Sequence, residues 1–179
     1  QRAEAEGEAA GLEYFFRVVG RTGHAPRDEF LKYAQSYMQK HSLQGAREFM
    51  HRFGERMPAF ISTTGSDIAA RAAAQYYNCA DFVGNPVCFP HITLILGIDL
   101  KIRDGKDKLE ATEEMLRSRS LKISEGVAVG NDRYDHETLK AAKLAMASPL
   151  ADIETIALVN EIGGITVENY ASLLEELEG

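Results

Sequence analysis

Three short stretches carry residues able to do chemistry. In "FISTTGSD" (60–67) an apolar run passes into Ser62, Thr63, Thr64 and Gly65 and then towards a helix start. Hydroxyls and free backbone N–H groups at such a turn can hold an anionic oxygen, although the same residues also serve as N-caps and turn formers. In the second stretch Lys106 and Lys108 stand at the start of the helical pattern "KLEATEEML". A cation in a first helical turn opposes the helix dipole, so it is either solvated or placed there for an anion. The third is "VAVGNDRYDHE" (127–137), where Asn131, Asp132 and Asp135 crowd the end of an apolar strand. Clustered oxygens of this kind suit Mg²⁺, a hard ion that would offset their mutual repulsion; a capped helix start is the plainer alternative.

These stretches need elements to position them. Residues 8–19 carry apolar residues at helical spacing, "RTGHAP" (21–26) breaks them, and 26–41 forms a second helix with Phe30, Tyr33 or Ala34, and Tyr37 on one stripe. Residues 42–57 read as a third helix with Ser42 as N-cap. At Pro58 the pattern changes: "AFIS" (59–62) is a buried parallel strand, and Ser66 or Thr64 caps an Ala-rich helix. "CADFVGNPVCFPHITLIL" (79–96) is irregular or extended, with "HITLIL" its best strand, and "GIDLKIRDGKD" alternates before turning at Asp104-Gly105. Then come a helix from Lys108, "GVAVG" as strand, and "HETLKAAKLAMAS" as a helix stopped by Pro149. A further helix, a Gly163-Gly164 break and a closing amphipathic helix end the chain. Strand and helix alternate from residue 58 onward, which predicts a doubly wound α/β core over 58–179 behind a helical lobe over 1–57.

Composition sets the outer bounds. The 179 residues have a net charge of -7, which argues against a basic face for nucleic acid, and no apolar run is long enough to span a bilayer. The start, "QRAEAEGEAAG", is acidic and polar, opposite to a signal peptide, so a cytoplasmic location is expected. Cys79 and Cys88 match neither a zinc site nor a disulfide framework and read as small buried hydrophobes. His24, His41, His51 and His91 read as surface or packing residues; His136 adjoins Asp135 but also begins a helix.

A hydroxyl turn, a lysine forty-five residues after Thr63, and an acidic strand end twenty-three residues after Lys108 follow one another in order. This order, and "KLEATEEMLRSRSLKISEGVAVGNDRYDHETLKAAKLAMASPLA" (108–151) in particular, resembles the later motifs of the haloacid dehalogenase (HAD) superfamily. "GNPVCF…IDLKIRDGK" is similar to the region between the second and third motifs of phosphoserine-phosphatase-like members. The resemblance covers residues 58–151. It implies a Rossmann-like three-layer sandwich with a parallel sheet, and a helical cap formed by the first third.

The resemblance also implies roles. Lys108 would stabilise the phosphoryl charge and Thr63 would bind a phosphate oxygen, with Ser62 its nearest competitor and Thr64 and Gly65 beside it. Asn131, Asp132 and Asp135 would lie at the Mg²⁺ edge. The reaction implied is Mg²⁺-dependent removal of phosphate from a small phosphorylated metabolite through an aspartyl-phosphate. In the cap, Arg17, Arg21, His24 and Arg27 would suit an anionic substrate, or simply form a solvated face.

Two departures qualify this. The family's Asp-x-Asp nucleophile motif has no counterpart ahead of residue 58, and Asn131 stands where an aspartate is usual. With Gln1 rather than Met in first place, the expectation is that a segment carrying the first strand lies upstream. The alternative is an inactive HAD-like binding or regulatory protein.

Overall fold

The computed structural model describes residues 27–88, 97–171 and 173. The expected helix over 8–19, the turn over 21–26, "HITLIL", His24 and His91 lie outside these residues, as does nearly all of the closing helix.

Helix α1 (Arg27–His41) matches the periodicity and lies along the Ala-rich helix α3 (Asp67–Tyr77), with Gln35 donating to Gln75 at 2.7 Å. Helix α2 (Ala46–Gly54) is shorter than expected, and Ser42 is not its cap. The N-cap is Gly45, whose φ of 78° suits a residue without Cβ. A Cβ there would also meet the backbone N of Ala171 at 2.8 Å. The Ser42 hydroxyl instead hydrogen-bonds the Tyr77 hydroxyl at 2.9 Å.

Strand β1 (Phe60–Ser66) runs through the hydroxyl stretch rather than ending at Ser62, so Ser62, Thr63 and Thr64 are strand residues. It pairs in parallel with β2 (Asp81–Asn85), with an irregularity between Ser62 and Ser66. Ser66 caps α3 by accepting from the Ala69 N–H at 3.2 Å, as one of the two expected caps. The left-handed Asn78 (φ 56°) ends that helix. Strands β3 (Val87–Cys88) and β4 (Gly97–Ile98) form a short antiparallel pair. The expected alternation after Ile98 does not extend the strand.

Helix α4 (Gly105–Arg117) begins three residues before Lys108 because Asp104 accepts from the Lys106 and Asp107 N–H groups. A 3₁₀ turn (Ile123–Glu125) leads into β5 (Val127–Gly130). The expected single helix over 136–148 divides. Helix α5 (His136–Ala141) stops at Ala142, and "LAMA" forms strand β6 (Leu144–Ala147), parallel to β5. Three of the four β6 residues are buried, and a fully buried strand has no alternation to set it apart from a buried helical turn. Helix α6 (Ile153–Glu161) and β7 (Ile165–Thr166), parallel to β6, follow.

The parallel strands thus fall into two half-sheets, β1-β2 and β5-β6-β7. The second is lined by small side chains, with Ala128, Ala145 and Ala147 packing on Leu139 and Val159. Phe49 of α2 joins Met146, Val167 and Leu173 in another cluster. Cys79 is half-buried and free, and burial pushes its thiol up to about 11. No helix among the described residues is long and apolar enough to cross a membrane.

Candidate active site

The polar residues converge where the carboxyl end of β5 meets the first turns of α4. Lys108 Nζ donates to Asp135 Oδ1 at 2.5 Å, and both side chains are about one-tenth exposed. Asp135 Oδ2 accepts from the Asn131 N–H at 2.8 Å and more weakly from the Asp132 N–H. Both of its oxygens are therefore engaged in holding the turn after β5. Gly130 makes the closeness possible, since a Cβ there would stand 2.5 Å from Asp135 Cβ and 3.0 Å from Leu139 Cδ1.

Asp132 caps the 3₁₀ turn Arg133–Asp135 by accepting from the Tyr134 N–H at 2.9 Å, reciprocated by Asp135 in a capping box. Burial, and then the neighbouring Asp135 charge, raise the Asp132 carboxyl above its ordinary range; the Tyr134 N–H and Lys108 pull the other way. The Asn131 side-chain nitrogen donates to Asp132 Oδ2 at 3.3 Å, which leaves its carbonyl oxygen available. Asp152 lies close behind, its N–H donating to the Asn131 carbonyl at 2.9 Å and its carboxylate capping α6. Asp152 was not singled out in the sequence, though "PLAD" does read as a helix start.

Among the described residues no group of three His, Cys, Asp or Glu side chains could hold a metal ion. The Asn131 side-chain carbonyl oxygen and Asp132 Oδ2, which among the described residues accepts only the 3.3 Å bond from Asn131, would give two donors of the six that Mg²⁺ prefers. Mg²⁺ commonly takes one or two carboxylates and completes its shell with water and phosphate, so the pair fits as a partial set.

Thr112, one turn beyond Lys108 on α4, donates its hydroxyl to the Lys108 carbonyl at 2.7 Å. It therefore receives the Ser62 hydroxyl proton across a second 2.7 Å contact, which ties β1 to α4. Ser62 and Lys108 line one cleft together with Gly130, Asn131 and Asp135. Thr63 does not line it; its hydroxyl accepts from the Gly65 N–H at 3.0 Å. Thr64 is held through its carbonyl, which accepts from Asn85 Nδ2 at 2.6 Å.

Asn85 was missed by sequence reasoning. It is fully buried; its amide also donates to the Ile102 carbonyl at 2.9 Å, and its carbonyl accepts from the Ile102 N–H at 2.7 Å. Asn85 thus fastens the end of β1 to the segment that delivers α4. "GNP" signalled a break, and an Asn in a break is ordinarily solvated, so nothing marked it as internal.

His136 begins α5, and its Nε2 lies 2.9 Å from the Thr155 hydroxyl on α6. His41 stacks on Tyr37 with ring centroids 4.3 Å apart, and His51 pairs with Glu55 on the surface. Arg17, Arg21 and His24 lie outside the described residues, and of Arg27 only the backbone is described.

Known structures share this arrangement of strands and helices. A substrate-bound phosphoserine phosphatase complex superposes with a TM-score of 0.62 at 17% identity, over 94% of this chain and 87% of that one. A HAD family hydrolase from Salmonella enterica serovar Typhi gives 0.63 at 17% identity, over 86% and 50%. The fold is HAD-like. A third HAD-like match is the phospho-aspartyl intermediate analogue of a phosphoserine phosphatase, with a TM-score of 0.60 at 19% identity, over 75% of this chain and 63% of that one. No protein-family model and no curated protein sequence matches the chain.

Proposed function

We propose that the chain is the phosphate- and metal-binding part of a HAD-type phosphohydrolase acting on a small phosphorylated molecule with Mg²⁺. The observation that carries this is the buried Lys108 ammonium, held by Asp135, which lines one cleft with Ser62 and Asn131. A desolvated cation in one cleft with a hydroxyl and the Asn131 carboxamide suits a phosphoryl group, because electrostatic stabilisation is strongest where water is excluded. Residues 1–57 would form the cap lobe over a core of 58–179.

Lys108 would hold the phosphoryl charge while Asp135 fixes its ammonium. Ser62 is preferred to Thr63 as the phosphate-binding hydroxyl because Ser62 lines the cleft and the Thr63 hydroxyl is turned to Gly65. Asn131 and Asp132 would hold Mg²⁺, which when bound neutralises phosphate oxygens. No Asp-x-Asp occurs in the 179 residues, so the attacking carboxylate is the part of the machinery to be added.

That absence, together with Asn131, favours a second reading: a binding or regulatory protein that holds the anion without hydrolysing it. Calorimetric titration with inorganic phosphate in the presence of Mg²⁺ should show binding that Lys108→Met weakens at least tenfold. An equally tight Lys108→Met variant would sink both readings. Hydrolysis of p-nitrophenyl phosphate, assayed with an Asp-x-Asp strand fused ahead of the chain, separates the two.

A further inference from the structure

The Ser62 hydroxyl has one proton to give, and its neighbours decide where that proton goes. Thr112 Oγ1 lies 2.7 Å from the Lys108 carbonyl oxygen on one side and 2.7 Å from Ser62 Oγ on the other. A carbonyl has no proton, so the first contact takes the Thr112 proton and the second is left for that of Ser62. Reversing the order would set the Thr112 and Lys108 oxygens at hydrogen-bond distance with nothing between them. Water has little access to relieve that, because Thr112 is 6% and Lys108 7% exposed. Bonding of a Thr hydroxyl to the carbonyl four residues earlier is also a habitual arrangement in helices.

We propose that Thr112 is a positioning residue that turns Ser62 into a hydrogen-bond acceptor towards the cleft, so that the phosphoryl group held there is one that carries an O–H and donates it to Ser62 Oγ. The proposal rests on the phosphate-binding reading above for the presence of the anion, and adds the protonation form in which the anion is held.

The two polar groups then divide recognition between them. Lys108 attracts any tetrahedral oxyanion by charge, with three N–H donors of which Asp135 takes one. It has no means of telling phosphate from sulfate. Ser62, which lines the same cleft as Lys108 and Thr112, does. Its proton is committed to Thr112, and among the described residues its side chain has no second partner, so lone pairs face the ligand. A phosphate O–H satisfies them. A sulfate oxygen in its place meets oxygen with no proton between, which leaves an acceptor unpaired in a site partly closed to water.

Calorimetric titration of the full chain with inorganic phosphate and with sulfate, each with Mg²⁺ at neutral pH, tests this, since phosphate there keeps at least one O–H and sulfate has none. The parent should bind phosphate at least tenfold more tightly than sulfate. In Thr112→Val the Ser62 proton is free to reach either anion, and the preference should fall below threefold, chiefly through tighter sulfate binding. Thr112→Ser, which keeps the hydroxyl, should retain the preference, and Ser62→Ala should lose it without gaining sulfate affinity. Equal binding of the two anions by the parent, or a full preference surviving in Thr112→Val or in Ser62→Ala, overturns the proposal while leaving the anion site standing. Binding of neither anion by the parent overturns the phosphate-binding reading itself, and this proposal with it.

Discussion

Lys108 Nζ and Asp135 Oδ1 form a buried ion pair 2.5 Å long that joins the first turn of α4 to the turn after β5. Either partner alone would be a desolvated charge. Lys108→Met should therefore cost about 3–5 kcal/mol in urea unfolding, and Asp135→Leu a similar amount. The double variant should fall short of the sum by about 2 kcal/mol or more, because neither charge is then left unpaired. Simple additivity would show that the pair does not couple.

Gly130 leaves no room for a methyl group beside Asp135. Gly130→Ala should cost about 1–3 kcal/mol through overpacking. It should also weaken Mg²⁺-dependent phosphate binding, since the Asn131 and Asp132 N–H groups are set by the carboxylate that would be displaced. Unchanged stability and binding would show that the turn yields without consequence.

Asn85 makes three hydrogen bonds from a fully buried carboxamide. Asn85→Leu should destabilise by about 2–4 kcal/mol, as backbone groups of Thr64 and Ile102 lose their partners. Thermal melting checks this; a variant within about 0.5 kcal/mol of the parent would contradict it.

Two carboxylates give opposite pH dependence. Asp132 has a raised carboxyl pKa, so its contribution is full below the unfolded value of about 4 and is lost as pH rises through the folded one. Asp132→Asn, which keeps a capping oxygen, should be the more stable protein at pH 7, with the gain vanishing below about pH 4. Asp81 is lowered, first by its hydrogen bond from Arg119, so its contribution is present above about pH 4 and lost below it. Asp81→Asn should therefore destabilise at neutral pH and match the parent in acid. Melting temperatures across pH for both variants supply the check, and curves of the same sign would refute it.

The legible parts of this chain are those with strong local signals. Pro26, the Ala-rich run and "VAVG" each marked an element that the structure contains. Of the expected site residues, Lys108 and Asn131 line one cleft, where Ser62, the second choice, stands in place of Thr63. Illegible were features fixed by distant neighbours. "LAMA" carries no period of its own and is a strand because β5 and β7 flank it. Thr63 and Ser62 are adjacent in sequence, and only strand alternation sends one hydroxyl to Thr112 and the other to Gly65. Thr112 was within reach, since it stands four residues after Lys108 and so shares its helical face.

Helix α4 touches β1 through Thr112 and the turn after β5 through Lys108, two side chains one turn apart. A rigid helical turn thus acts as a caliper, with its 5.4 Å pitch setting how far Ser62 and the Asp135 turn can drift along the helix axis. The spacing between the β1-β2 pair and the β5-β6-β7 sheet is therefore gauged by one helix, through contacts that need no hydrogen bond between the two sheets.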